Sequence, residues 1–223
     1  MLIVASIDQP RVSVGCVRSL RAEDIPAVAR LHADELREGI LARLGEEFLA
    51  RFYYRYIPES PTACCVVYEY DGQVAGFIAA TTDWAHLFQS VARRHWGALV
   101  GVFLATVILK PSRWGAVGEA VAFLSHPPAM PDDAPSEMLS LAVAPAYRSL
   151  QFMQRTNIRV AQALGQAALD CLRDHRGKQV RALVRADNLM ANIFYRNLGF
   201  APAGPIRIFG GDSVVYVRDL EST

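Results

Sequence analysis

Hydrophobic and polar positions divide the chain into short segments of two periods. Residues 12–20 read as a strand ending at Arg21. Ile25, Val28 and Leu31 then recur at helical spacing behind Asp24, a candidate N-cap, with Pro26 in the first turn where its missing N–H is tolerated. Leu41, Leu44, Phe48 and Phe52 continue a helical stripe that Pro58 and Pro61 end. Two β-rich runs follow, residues 63–70 and 73–81, joined at Asp71-Gly72, a strong hairpin signal. Gly76 marks a strand irregularity or a close backbone approach. The run EMLSLAV (residues 137–143) has the apolar character of a central strand buried on both faces. A second such run, residues 179–186, precedes a short helix that Gly199-Phe200 terminates. Gly210-Gly211-Asp212, between apolar runs, predicts a closing hairpin.

Residues 84–126 break this rhythm and read as helical. Within them WGALVGVFLATVIL, residues 96–109, is charge-free over fourteen positions and flanked by Arg93, Arg94, Lys110 and Arg113. Spanning a bilayer takes about 20 apolar residues, so this run is too short. Three readings are open: a buried or dimer-forming helix pair, which is favoured, a lid over an apolar acceptor or acyl chain, and attachment to a membrane surface.

Composition narrows the classes. The 223 residues are 52% hydrophobic and 20% charged, enough for a core, and the net charge of +1 gives no bulk attraction to nucleic acid or anionic membrane. Cys16, Cys64, Cys65 and Cys171 lack metal-ligand spacing, as do His86, His95 and His126, so no metal is expected and reduced thiols in a cytoplasmic protein are. The N-terminal apolar run is short and lacks a basic flank, so no signal peptide is expected.

Chemistry enters in the last third. Between the strands at 137–143 and 179–186 lies Gln162-Ala163-Leu164-Gly165-Gln166-Ala167; after the second come Asn188, Ala191, Tyr195, Gly199 and Phe200. The spacings Q-x-x-G-x-A and N-x-x-A-x-x-x-Y-x-x-x-G-F, in that order with a strand before each, resemble the GNAT superfamily of acyl-CoA-dependent N-acyltransferases. The resemblance covers residues 12–82 and 136–216 and is strongest over 183–200. It implies one α/β domain over residues 1–223: a mixed, mostly antiparallel sheet of six or seven strands flanked by helices, with residues 84–126 inserted between the third and fourth strands. It further implies transfer of an acetyl or other acyl group from acyl-CoA to a primary amine, by direct attack in a ternary complex. A non-catalytic acyl-CoA-binding or interaction module keeping the fold is the alternative.

The same resemblance assigns roles. Leu141, Ala142 and Val143 match the strand edge that pairs with the pantetheine arm, a strand without a neighbour offering free N–H and C=O groups to an amide-bearing ligand. Gln162–Ala167 match the diphosphate-binding helix start, where uncapped N–H groups favour an anion. One departure stands out: Tyr147-Arg148 usually adjoins this motif, yet thirteen residues intervene here. Either a longer loop leaves the nest intact and adds Arg155 or Arg159 as phosphate partners, or the motif is merely mid-helix.

Glu137 is the candidate general base, needing a pKa raised by burial, and the alternative is a strand-end carboxylate paired with an arginine. Tyr195 is the candidate acid for the departing thiolate, or else an aromatic filling the groove. Asn188 is expected to cap its helix and reach the pantetheine. Phe52, Tyr53, Tyr54 and Tyr56 either touch the acceptor or pack an amphipathic helix.

Overall fold

The computed structural model describes residues 15–105, 110, 113–125, 128–208 and 210–221. In chain order the elements are β1 (Gly15–Ser19), α1 (Ile25–Glu35), α2 (Ile40–Leu44) and α3 (Glu46–Phe48), which runs through a π-helical stretch into α4 (Tyr54–Tyr56). Then come β2 (Ala63–Tyr70), β3 (Gln73–Thr81), α5 (Trp84–Arg94), α6 (Trp96–Phe103), α7 (Trp114–Ser125) and β4 (Ser136–Val143). The last third holds α8 (Pro145–Arg148), α9 (Leu150–Thr156), α10 (Val160–Asp174), β5 (Gln179–Arg185), α11 (Leu189–Asn197), β6 (Ala201–Ile208) and β7 (Gly211–Asp219).

The strands form one seven-stranded sheet in the order β1-β2-β3-β4-β5-β7-β6. Every pairing is antiparallel except β4 with β5. The Asp71-Gly72 turn places both residues at positive φ, 50° and 75°, as a two-residue hairpin requires. Gly210 (φ 74°) turns β6 into β7 as expected. Of the strand expected at 12–20, residues 12–14 lie outside the described residues, as do 106–109 of the apolar run and His126.

Each sheet face carries its own core. On one, α10 and α11 bury Leu164, Ala168, Leu169, Leu172, Tyr195 and Leu198 over Met138, Ala182 and Val184. On the other, α1 and the α3–α4 segment bury Val28, Leu49, Tyr53 and Tyr54 over Val67, Phe77 and Ala142.

Four expectations change. The helical stripe through residues 41–52 breaks at Gly45, whose φ of 100° no helix accommodates. Asp24 does not cap α1: Arg18 holds its carboxylate at 2.6 and 2.8 Å and the Arg21 N–H donates to it. The described part of the apolar stretch, residues 96–105, is not fully buried within its own chain, since α6 has no fully buried residue and Trp96 and Leu104 are exposed, which leaves the dimer-forming form of that reading standing. Among the described residues no helix is long and apolar enough to cross a membrane. Finally, Cys64 of β2 and Cys171 of α10 are joined as a disulfide rather than left as thiols, because the helix stacks directly over that strand.

That bridge closes a loop across 107 positions of sequence. Chain entropy alone then assigns it up to about 4–5 kcal/mol of stability. Cys171→Ser is expected to lower the urea midpoint of the oxidised protein and leave that of the reduced protein nearly unchanged; indistinguishable oxidised midpoints would show that the tie contributes nothing.

Candidate functional site

The site begins with a defect in β4. Strand β3 pairs Ala79 with Ser140 but Ala80 with Met138, so Leu139 is an extra residue, a β-bulge. Bulges bend their strand, and pairing between β4 and β5 stops just there: the ladder comprises Ser136↔Val180, Glu137↔Arg181 and Met138↔Ala182. Both strands continue, to Val143 and Arg185, without pairing to each other. Leu141, Ala142 and Val143 remain bonded to β3 on one side, opposite Ile78, Phe77 and Gly76. Their other edge faces the opening, where backbone N–H and C=O groups have no strand partner.

Two ionisable groups flank this opening from opposite faces. Glu137 lies in register with Thr81 and Arg181, one residue before Met138 of the α10-side core, so it points to the α1 side. Burial pushes its pKa up to about 7, opposed by the Arg181 charge and reinforced by Asp132. Tyr195 belongs to the α10-side core, packed by Phe194 and Phe200 at ring distances of 5.1 and 5.2 Å. Burial raises its hydroxyl pKa, and the Glu137 charge raises it further, so the two groups are electrostatically coupled.

The α1 side adds a polar chain that sequence reading did not assemble. The buried His32 Nδ1 lies 2.6 Å from the Tyr54 hydroxyl, which lies 3.3 Å from Ser140 Oγ beside the bulge. Burial lowers the His32 pKa to about 4, so the ring is neutral at pH 7. Tyr53 sits next to it with a buried hydroxyl that finds no hydrogen-bond partner among the described residues. Phe52, by contrast, packs against Phe48 and Tyr56.

The helix start differs from the expectation. Helix α10 begins at Val160, and its capping residue Arg159 makes no side-chain cap bond. Ala163 N–H already donates to Arg159 C=O at 3.0 Å, which leaves the N–H groups of Val160, Ala161 and Gln162 outside the helical ladder. Of the six residues expected to hold the diphosphate, only Gln162 presents a free amide. Leu164 is core, Gln166 bonds Asp170 at 2.9 Å, and Ala167 lies further along the helix.

Gly165 does permit close approach, but to protein. A Cβ there would meet Leu198 at 2.6 Å and Phe194 at 3.0 Å, both packed against it from the α11 side. The free N–H groups at the start of α10 lie earlier, at residues 160–162. Asn157 (φ 56°) ends α9 in the left-handed conformation where glycine is usual. The extra length after Arg148 is α9 itself, and Arg148 pairs with Glu35 at 2.7 Å. Asn188 caps α11 as expected, its Oδ1 accepting the Ala191 N–H at 3.1 Å.

Sequence reading also missed Arg181 and Asp132. The available signal was a lone arginine in the apolar run QVRALV, a pattern that in a central strand means a buried, paired charge.

The Glu137 carboxyl binds its proton more tightly folded than unfolded, so its ionisation costs stability as pH rises from the unfolded value near 4.5 to the folded value near 7. Glu137→Gln removes that cost. The variant is expected to gain on wild type by up to about 3 kcal/mol at pH 8 and by little at pH 4.5, read from urea unfolding at the two pH values. A gap independent of pH would contradict the raised pKa.

No curated protein matches the sequence. Solved structures with the same fold include an N-acetyltransferase from Staphylococcus aureus Mu50, 14% identical, with 93% of this chain and 99% of that one covered and a TM-score of 0.57. The putative acetyltransferase yncA from Salmonella typhimurium, solved with its cofactor acetyl-CoA, is 13% identical over 94% and 95% of the chains, with a TM-score of 0.55. Arabidopsis thaliana NAA60 in complex with acetyl-CoA is 15% identical over 92% and 98%, with a TM-score of 0.54. The profile of the acetyltransferase (GNAT) family matches residues 26–200, and with the split sheet at its centre this chain belongs to that family.

Proposed function

We propose that the protein transfers an acetyl group from acetyl-CoA to a primary amine by direct attack within a ternary complex. The observation that carries this reading is the unpaired edge of β4 with Glu137 on one face of the opening and Tyr195 on the other. Two structures sharing the fold hold acetyl-CoA, which supports that donor. In this reading the amides of the donor's pantetheine arm pair with the backbone of Leu141, Ala142 and Val143, and a β4 N–H polarises the thioester carbonyl. The diphosphate rests on the N–H groups of Val160, Ala161 and Gln162. Arg155 and Arg159, both exposed and in no ion pair among the described residues, lie beside that turn.

At pH 7 only about one in a few thousand lysine-like amines is neutral. A carboxylate with a pKa near 7 is half ionised there and can take the surplus proton. The amine nitrogen then bonds to the thioester carbon, the tetrahedral oxyanion collapses as the C–S bond breaks, the Tyr195 hydroxyl donates its proton to the thiolate, and the second proton leaving the amine nitrogen restores the hydroxyl, giving a neutral amide and the free thiol. Burial keeps the Tyr195 hydroxyl protonated at neutral pH but makes it a weaker acid than the departing thiol, so this transfer is concerted with C–S cleavage.

Thiol release from acetyl-CoA across a panel of small amines, peptides and lysine-bearing proteins tests the assignment. Tyr195→Phe is expected to lower kcat by about 10²-fold with acetyl-CoA affinity unchanged. The rate should rise with pH through a midpoint near 7 that disappears in Glu137→Gln. Acetyl-CoA binding with no release on any acceptor would replace the enzyme by a non-catalytic acyl-CoA-binding module. Arg155→Ala with Arg159→Ala is expected to weaken acetyl-CoA binding several-fold, most at low salt; unchanged affinity would move the diphosphate elsewhere.

A further inference from the structure

Arg181 is a cation at the heart of the sheet, 4% exposed, and burying a charge costs several kcal/mol unless it is paired. Its partners converge from three segments. The guanidinium Nε lies 3.5 Å from Asp132 Oδ1 and 4.0 Å from Glu137 Oε2. Nη2 donates to the Ala134 carbonyl, and the Trp84 ring centroid lies 5.4 Å from Cζ.

The segment carrying these partners is itself fixed. Asp132 Oδ1 accepts the Ala134 N–H at 2.8 Å, and Pro135 C=O accepts the Trp84 N–H at 3.1 Å. Yet Nε and Nη1 of Arg181, Oε2 of Glu137 and Oδ2 of Asp132 are all buried without a hydrogen bond among the described residues. One cation is thus divided between two carboxylates and saturates neither.

We propose that Arg181, held by Asp132, the Ala134 carbonyl and the Trp84 ring, is a positioning residue that sets the orientation and charge of Glu137. This rests on the reading of Glu137 as the base. The logic is competitive. With Arg181 absent, burial would keep Glu137 protonated at neutral pH; with Asp132 absent, Arg181 would pair with Glu137 alone and make it a weak base. The other ionisable groups near Glu137 are the Tyr53 and Tyr195 hydroxyls, each raised in pKa by burial and by the Glu137 charge, with the Cys65 thiol, pushed up to about 12, beside Tyr53. All three are neutral at pH 7, so Arg181 and Asp132 are the charges that act on Glu137.

The test is a carboxyl ¹³C NMR titration of the full-length protein labelled at glutamate, with the Glu137 signal assigned by its loss in Glu137→Gln. Arg181→Met is expected to raise the Glu137 midpoint by about one unit or more, Arg181→Lys to restore most of it, and Asp132→Asn to lower it. General loosening would instead admit water and pull the midpoint down toward the ordinary glutamate value in the Arg181 variants, so a rise separates the two. An unchanged or lowered midpoint in Arg181→Met, or a raised one in Asp132→Asn, overturns the proposal. Should Arg181→Met not fold, the opposite shift in Asp132→Asn and the near-wild-type midpoint of Arg181→Lys decide it. The base reading fails separately, if Glu137→Gln keeps the wild-type pH–rate profile while these midpoints move as stated.

Discussion

The site depends on a mismatch between two parallel strands. Strands β4 and β5 share three register positions and then part, because Leu139 adds a residue to β4 that β3 cannot match and the strand must bend. Unpaired backbone inside a protein is costly. Here the cost is contained because β3 still satisfies one edge of Leu141–Val143 while β7 satisfies β5 along its whole length. The sheet therefore holds together around an opening edged by the backbone N–H and C=O groups of Leu141–Val143.

The same bend distributes the chemistry. Before the bulge Glu137 points to the α1 side and Met138 to the α10 side; after it, Leu141 and Val143 pack toward α10 while Ala142 packs toward α1. A carboxyl and a phenol thus lie on opposite faces of the sheet without touching. Their coupling is electrostatic, and both are shifted chiefly by burial. Hydrophobic packing here does two jobs, holding the helices on the sheet and moving two pKa values apart from their ordinary range.

Burial also explains the polar residues on the α1 side. His32, Tyr54 and Ser140 form a short hydrogen-bonded chain within an aromatic core, and the Arg181 cluster lies on the same face. Charged and polar groups in such surroundings are retained only with partners. Among the described residues most buried polar side-chain atoms without a hydrogen bond lie in this corner, Ser136 Oγ being on the other face.

The hairpins were legible because their determinants are local: Asp71-Gly72 and Gly210 supply the positive φ that a tight turn demands. Asn188 and Gly199 marked the ends of α11 for the same reason. Gln162–Ala167 left two readings open in sequence because a glycine in a helix looks alike whether a ligand or another helix approaches it; at Gly165 the fold brings Leu198 and Phe194. Asn157 was overlooked since its left-handed turn is a glycine position filled by another residue. Sequence alone determined the alternation of elements and the family motifs and singled out Glu137 and Tyr195 as candidates, all from neighbours within a few positions. The fold decided what depends on residues far apart in the chain: where β4 leaves β5, the Cys64–Cys171 bridge, and the convergence of Trp84, Asp132, Glu137 and Arg181. Such contacts arise from packing across the sheet, and nothing in their local sequence requires them.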